Sequence, residues 1–572
     1  MGIRWGVLQH CRHLSCTSKI REISHAAQDV LAPTAHVPRV DLKYDDSLFH
    51  YTGGRFVRDE SHELAKRHVY FDVEELARIA TATVGARSCV SLEKYPDGLC
   101  NKSMLLTMDN GAQVVAKVPN PNAGLPHYTT ASEVATMDFA RNQLGTPIPR
   151  VLAWSSRREC NLVGAEYVLM ERVAGVELER LWPSMARRDK IELIRNLVTY
   201  QEAWAATKFK GLGSLYHAGD LEENLQSKCS YENAQGTEIH SEQFVIGPSV
   251  GRDWFDDGRG SIECGRGPWS TTEAYHTAIG YREMETVCSL PSLPRSPITL
   301  CGPGTYIPTR EKKLKALDCY LKLLKYLLPE DQSIGTAHMW HSDLHGANIF
   351  VDPTQPTKIT GIIDWQSSQI APLYVHACQP YILSHDGAYV LEFECPQAPQ
   401  ETESLDPAAR HRAKTLHEQR SLSASYNLYA HRTMPAVYTA LQFQQNLAFE
   451  LLLTAKNLSI DGEAQFLSKV LDLEQTWTTL PRTNGVPFPL TFASDERTVV
   501  LADAERSAVG IAAMRTIREA LSEPFLRKGI VRHDQYEGAM RGLREEKERV
   551  IRRFARNAYE REMWEEMWPF DS

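Results

Sequence analysis

The chain has 572 residues, of which 42% are hydrophobic and 24% charged, with a formal net charge of −9. That composition excludes wholesale disorder, and the acidic balance argues against a general nucleic-acid binder. No apolar run reaches the ~18 residues of a membrane helix; Leu321–Leu328 is interrupted by Lys322 and Lys325, so no integral membrane association is expected.

Taken in chain order, residues 1–40 read as an address. Met1 to Arg21 contains no acidic residue but holds Arg4, Arg12, Lys19 and Arg21 together with Ser15, Thr17 and Ser18. An Arg-rich, acid-free, Ser-containing opening without a continuous apolar core matches a mitochondrial presequence. Pro33 and Pro38 end the helical pattern, and folded structure is expected from residue 41.

Residues 59–82 read as one or two helices in an N-terminal extension spanning 41–84. A strand-rich lobe follows over 85–175. Ser88 to Lys94 is a strand, and Lys102–Met108 and Gln113–Val118 form a hairpin across Asp109-Asn110-Gly111. A helix is expected from Ala131 to Leu144, stopped by Gly145 and Pro147, and Pro149–Trp154 and Ala165–Glu171 supply two further strands. Residues 176–390 read as mainly helical. The exception is an insertion at about 216–309, rich in Gly, Pro, Trp and Asp and too long for a structureless loop. Helix resumes at Arg310–Leu328, and a strand–turn–strand pattern occupies Asn348–Asp364. Residues 391–572 read as a helical C-terminal region. The 12 cysteines include no Cys-x-x-Cys pair, as expected of free thiols in a reducing compartment.

The most informative stretch is His341-Ser342-Asp343-Leu344-His345-Gly346-Ala347-Asn348, then the apolar Ile349-Phe350-Val351. Ile362-Ile363-Asp364-Trp365 comes after a Pro-containing turn, with Asp364 sixteen residues beyond Asn348. In-line transfer of a γ-phosphoryl group needs a base near the acceptor hydroxyl and ligands for Mg²⁺ on the phosphates. Asp343 is placed for the first role. Asn348 and Asp364 supply the hard oxygen ligands that Mg²⁺ prefers, brought together by the hairpin.

These residues, "HSDLHGANIFV … GIIDWQ", resemble the aminoglycoside phosphotransferase and choline kinase-like family, which shares the protein-kinase fold. The resemblance covers roughly residues 85–380. A narrower likeness, carried by "FHYTGGRF", "VYFDVEEL", "WFDDGRGS" and "RGPWS", is to a fungal group with this phosphotransferase domain behind a mitochondrial presequence. The resemblance implies an α+β, two-lobed protein-kinase-like fold, with a small antiparallel-sheet N-lobe and a large helical C-lobe. It implies ATP and Mg²⁺ as cofactors, and Tyr167–Gly175 as a hinge where the backbone of Glu171 to Val173 would meet adenine. Lys117, in Val114-Val115-Ala116-Lys117-Val118, would then hold the phosphates, and Glu133, sixteen residues on, would orient it. Taken alone, Lys117 would read as a solvent-facing strand-end lysine and Glu133 as an acid favouring a helix N-terminus.

One departure stands out. The loop Tyr95–Lys102 has a single Gly where a glycine-rich loop would bring amides to phosphate, so Asn101 or Lys102 is expected to substitute by side chain. Residues 251–270 concentrate Trp254, Phe255 and Trp269 with Asp and Arg residues. They read as a locally packed loop, with a substrate-pocket wall as the alternative. The terminal helix, with Trp564 and Trp568 among balanced charges, is expected to be solvated or self-packed, with contact to anionic lipid or a partner as the alternative. Together these expectations describe a mitochondrial small-molecule kinase whose acceptor no motif names. A nucleotide-binding pseudokinase or scaffold is the second reading. A protein kinase is disfavoured because no Ala-Pro-Glu element follows Asp364 and Trp365 stands where protein kinases carry Phe.

Overall fold

The computed structural model describes residues 42–385, 391, 393, 396, 397, 405–521 and 529–571. The expected presequence lies outside the described residues. From residue 42 onward the chain is one compact unit. Its N-terminal extension holds strand β1 (Arg55–Phe56) and helices α1 (Glu60–Ala65) and α2 (Val73–Thr83). Asp72 caps α2 by accepting from the Glu75 amide at 2.8 Å.

Five strands follow: β2 (Cys89–Lys94), β3 (Asn101–Met108), β4 (Gln113–Pro119), β5 (Val151–Ser155) and β6 (Tyr167–Glu171). They form an antiparallel sheet of order β2-β3-β4-β6-β5, with helix α3 (Tyr128–Asn142) between β4 and β5. The β3–β4 turn occupies residues 109–112, closed by the Met108 amide donating to the Ala112 carbonyl at 2.9 Å, and Gly111 in it takes φ +82°, a conformation that a side chain would strain. Side chains alternate across the sheet. Met104, Leu106, Val114, Ala116 and Val118 point to one face and pack on Phe71, Val73, Leu76 and Ala80 of the extension. Asn101, Ser103, Val115 and Lys117 lie on the other face, toward α3 and the second lobe.

After β7 (Val176–Glu177) and helix α4 (Arg187–Ala206), the segment expected to break the helical pattern, and to be too long for a structureless loop, opens as sheet. Strands β8 (Lys208–Phe209), β9 (Ser214–His217), β10 (Ser227–Glu232) and β11 (Glu238–Gly247) precede helices α5 (Thr272–Ser289) and α6 (Arg310–Leu327). With β12 (Ala337–Met339) and, beyond the hairpin β13 (Ile349–Val351) and β14 (Ile359–Ile362), strand β15 (Ile370–Pro372), they build one antiparallel sheet of order β15-β12-β8-β10-β11-β9. The alternation in β10 and β11 is carried by few residues (Cys229, Tyr231, Phe244, Ile246), and the outer half of β11 is polar and largely exposed. A pattern that sparse is masked by the surrounding Gly and Asp content.

The aromatics of 251–270 pack inward: Trp254 is fully buried and its ring lies 5.0 Å from that of Trp269. The charges pair around them, Arg259 with Glu283 at 2.7 Å and Arg282 with Asp253 at 3.1 Å. In the C-terminal region, helices α7 (Pro407–Thr433), α8 (Pro435–Phe443), α9 (Leu447–Ala455), α10 (Glu463–Gln475) and α11 (Ser494–Ala520) extend the helical lobe. Strand β16 (Ile530–Val531) pairs with β1, ahead of α12 (Tyr536–Phe554) and α13 (Ala558–Met567). Trp564 and Trp568 are buried; Trp564 donates its Nε1 to the Pro303 carbonyl at 3.1 Å and shares a core cluster with Val57 and Leu300, so the tail packs on the rest of the protein. Among the described residues no helix is long and apolar enough to cross a membrane. The arrangement is the two-lobed, kinase-like one: an antiparallel sheet with one helix, then a hinge, then a large lobe that is mainly helical.

Candidate active site

The β13–β14 hairpin fixes two of the expected residues beside each other. Ile349 pairs with Ile362, and the Ile363 amide donates to the Asn348 carbonyl at 3.0 Å, so Asp364 leaves the strand next to Asn348. Asp364 has φ +62°, a sparsely populated conformation for a non-glycine residue that its surroundings must impose. One such constraint is His341. Its Nδ1 lies 3.2 Å from the Asp343 amide, which donates to it, and its Nε2 lies 2.9 Å from the Ile363 carbonyl. Those partners require the neutral tautomer protonated on Nε2, and burial holds the His341 pKa below the usual range. The ring packs edge-on against Trp365 at 4.7 Å, and Trp365 and Trp340 both pack on Trp204. A neutral histidine on an aromatic base therefore ties the loop of Asp343 to the segment of Asp364.

Asn348 donates its Nδ2 to the Asp343 carbonyl at 2.9 Å, which turns its Oδ1 away from that loop. The Asp343 carboxylate is more than half exposed, and His345 Nε2 lies 3.5 Å from its Oδ2. The hydrogen bond to Asp343 raises the pKa of His345, against the opposing effect of burial.

From the other lobe, Lys117 reaches the same place. Its Nζ lies 2.6 Å from Glu133 Oε1 and 2.9 Å from Asp364 Oδ1. Lys117 is 8% exposed and Glu133 only 2%. Burial works against the charged lysine, but Asp364 and then Glu133 outweigh it and keep it protonated. Burial likewise opposes ionisation of Asp364, and the Lys117 charge prevails, so its pKa lies below the ordinary value. For Glu133 burial is the largest influence and raises the carboxyl, with Lys117 opposing. Its Oε2 is buried with no hydrogen-bond partner.

Of the two loop residues expected near phosphate, only Asn101 is on Lys117's face of the sheet. It donates to Gln366 Oε1 at 2.6 Å, two residues beyond Asp364. Lys102 requires a correction. One residue on, it points to the opposite face, where its ammonium donates to the His50 carbonyl at 2.6 Å and sits 3.6 Å from Asp97. There it is buried, and its pKa falls to about 8 chiefly because burial disfavours the charge. Period-2 alternation allows one of two adjacent strand residues to face the cleft, not both. The loop itself is pinned: Asp97 Oδ2 accepts from the Thr52 amide at 2.8 Å, the Thr52 hydroxyl at 2.9 Å and Lys94 at 2.7 Å.

At the hinge, the Glu171 amide donates to the Arg150 carbonyl at 3.0 Å, and its carboxylate meets the Arg150 guanidinium at 3.1 Å. Val173 packs against Gly361 of β14, where any Cβ would collide with it. The roles of His341, His345 and Gln366 were not drawn from sequence. All three lie inside or directly after the two motifs, and that proximity was the available signal.

The donor set can be tested for a metal. Among the described residues no group of three His, Cys, Asp or Glu is arranged to hold an ion. One carboxylate, Asp364, and one amide oxygen, Asn348, suit Mg²⁺, which is commonly held by one or two carboxylates completed by substrate phosphates and water.

Comparison with known proteins agrees with this geometry. Residues 304–375, which contain Asp343, Asn348 and Asp364, match the sequence model of the phosphotransferase enzyme family. The chain is 27% identical over 520 residues to a subtelomeric hrmA-associated cluster protein of Aspergillus fumigatus, covering 84% of this chain and 97% of that one. It is 22% identical over 518 residues to altered inheritance of mitochondria protein 9, mitochondrial, of Yarrowia lipolytica, covering 86% of each. Among solved structures, the streptomycin–ATP–APH(2″)-IIa ternary complex is similar at 12% identity, over 71% of this chain and 97% of that one, with a TM-score of 0.32. At that score the fold reading rests on the strand order and on the pairing of Lys117, not on the superposition.

Proposed function

We propose that the protein is a phosphotransferase that moves the γ-phosphate of ATP to a hydroxyl of a small molecule, using Mg²⁺, in mitochondria. The observation that carries the reading is Lys117, whose ammonium touches Glu133 and Asp364, a residue 247 positions away, at 2.6 and 2.9 Å. A buried lysine held by two carboxylates at the junction of two lobes is poorly explained by stability alone, because burying charge is expensive. It is well explained by a site that must receive a polyphosphate. The match of residues 304–375 to the phosphotransferase enzyme family supports the reaction class, and relatives named as mitochondrial support the location.

In this reading Lys117 meets the phosphates, kept extended by Glu133. Asp364 and the Asn348 oxygen hold Mg²⁺, which neutralises charge on the phosphates when bound. Asp343, exposed at the mouth of the cleft, orients the acceptor hydroxyl and takes its proton, with His345 beside it. The hinge offers the Glu171 carbonyl, since its amide is engaged by Arg150, and the backbone of Val173 to adenine. Asn101 faces the phosphates across Gln366. Catalysis then rests on positioning and charge neutralisation.

The test is Mg·ATP turnover against a panel of hydroxylated metabolites, comparing the wild type with Asp343→Asn. Turnover on some acceptor that drops by about 10²–10⁴-fold in the variant, with ATP affinity retained, is the expected result. A second reading, a nucleotide-binding scaffold, is favoured by one observation: the glycine-poor loop is immobilised through Asp97 rather than free to close. ATP binding without turnover on any acceptor would decide for it, and failure to bind Mg·ATP at all would end both.

A further inference from the structure

Helix α3 presents two opposed faces. Glu133 points to Lys117. Ala131, Ala135 and Phe139, spaced by one turn and about 160–240° away around the axis, point to the inserted sheet. Phe139 is fully buried in a socket of three rings, Phe209 of β8, Tyr231 of β10 and Phe244 of β11, at 5.4, 5.1 and 5.4 Å between centroids. Ala131 packs with Tyr216, Leu221, Val245 and Val250. Beside Phe139, the Asp138 carboxylate accepts from His217 Nε2 of β9 at 3.0 Å and from Gln243 of β11 at 2.9 Å. His217 is itself stacked on Phe244 at 5.3 Å and lies 3.5 Å from Asp220. Burial works against its charge, but Asp138 and Asp220 raise its pKa to about 9, so the pair is ionic at neutral pH.

The far end of the same sheet is catalytic. β12 ends at Met339, two residues before His341, and β15 begins at Ile370, six residues beyond Asp364. One continuous sheet thus touches the helix that carries Glu133 and both flanks of the segment that carries Asp343 and Asp364.

We infer that the inserted sheet is a positioning element: through the Phe139 socket and the Asp138–His217 pair it holds α3 in the orientation that keeps Glu133 on Lys117. The helix needs no partner chain or modified loop to be seated, because its seat is built into the second lobe. Asp138, Phe139 and His217 are positioning residues that act through Glu133. The inference deepens the proposed function, since the Lys117–Glu133 contact matters to chemistry only where a nucleotide is bound. The contact itself is measurable without one.

The experiment uses the full chain with His217→Ala, Asp138→Asn and Phe139→Ala. Trace acetylation with acetic anhydride, read by mass spectrometry, reports the reactivity of each lysine, and hydrogen exchange reports residues 128–142. Loss of a charge-assisted hydrogen bond corresponds to about a ten- to hundredfold shift in the opening equilibrium. Lys117 labelling and exchange of the α3 amides are therefore expected to rise about tenfold or more in the first two variants. Lys102, buried on the opposite face of the same sheet, stays unchanged and separates helix release from general loosening. Unchanged Lys117 labelling, or a parallel rise at Lys102, would overturn the inference. Should Phe139→Ala fail to fold, the two polar variants decide alone. Calorimetry with Mg·ATP on the wild type runs in parallel: absence of binding there removes the proposed activity, while the labelling result still tests the sheet's role.

Discussion

Replacing Lys117 by Met gives a prediction whose size follows from the site. The substitution keeps the volume but leaves Glu133, 2% exposed, facing Asp364 with no cation between them. An uncompensated buried carboxylate costs about 3–5 kcal/mol, but Glu133 has an escape, which is to bind a proton. The cost of protonation sets the ceiling. At pH 7.5, about three units above the ordinary glutamate pKa, it is ~4 kcal/mol; at pH 5.5 it is ~1.5 kcal/mol. The sign follows: the folded variant binds a proton that the unfolded chain does not, so its stability rises as pH falls. With an unfolding entropy of about 2 cal/mol/K per residue over about 500 residues, each kcal/mol moves Tm by ~1 °C. Scanning calorimetry should find Lys117→Met lower than wild type by about 4 °C at pH 7.5 and about 1–2 °C at pH 5.5. The double variant Lys117→Met/Glu133→Leu removes the stranded charge and should return to within about 1 °C of wild type at both values, since exchanging a whole buried pair for apolar side chains is often neutral. An equal deficit at the two pH values, or a double variant no better than the single one, would refute the claim that Lys117 neutralises Glu133.

Three further outcomes follow from the geometry. Asp97→Ala removes the acceptor of Thr52 and Lys94 and the counter-charge of buried Lys102, so the loop should become protease-sensitive near residues 95–101 and stability should fall by about 2–4 kcal/mol, measured by limited proteolysis and calorimetry. His217, with its folded pKa at about 9 against an ordinary 6.5, contributes stability fully present below pH 6.5 and lost as pH rises through 9. The stability gap between wild type and His217→Gln should therefore narrow over that window, by up to about 3 kcal/mol or ~3 °C in Tm; a gap that is flat with pH contradicts the ion pair with Asp138. His341→Ala breaks the link between the Asp343 amide and the Ile363 carbonyl, and should lower turnover more than it raises the KM for ATP, by about tenfold or more in kcat.

Legibility in the sequence varied with the source of the signal. The catalytic hairpin was readable because its residues are close in sequence and the register of β13 on β14 follows from two short apolar runs around a turn. Lys117 and Glu133 were readable through the family resemblance, since a strand lysine and a helix acid carry no signal alone. Lys102 departs from expectation because loop chemistry alone does not fix the face of the sheet on which a residue falls. Strand alternation from Lys117 back through Ser103 to Asn101 would have placed Lys102 on the far side. The inserted sheet was hidden for a different reason. Its strands are half-exposed, its core residues are few, and they are completed by Phe139, which lies about seventy residues or more before them. Tertiary partners of that kind leave no local periodicity.

The pinned loop and the seated helix have a common physical consequence. A kinase-like cleft can be poised by mobile parts that close on a nucleotide, or it can be held ready. Here the Tyr95–Lys102 loop is fastened by Asp97 to Thr52, in an extension that itself pairs with the C-terminal strand Ile530–Val531. Helix α3 is fastened by Phe139 and Asp138 to the second lobe, and Arg252 joins the lobes again by donating to the carbonyls of Asn122 and Ala123 at 2.7 and 2.9 Å. Each fastening lowers the entropy still to be lost when a ligand orders the site. A glycine-rich loop gains affinity by wrapping phosphate with its amides. On the proposed function, a loop without those glycines relies on side chains already in place, and a rigid frame keeps Asn101 and Lys117 within reach. The missing glycines and the extra structure at both ends of the chain are, on this argument, two sides of one arrangement.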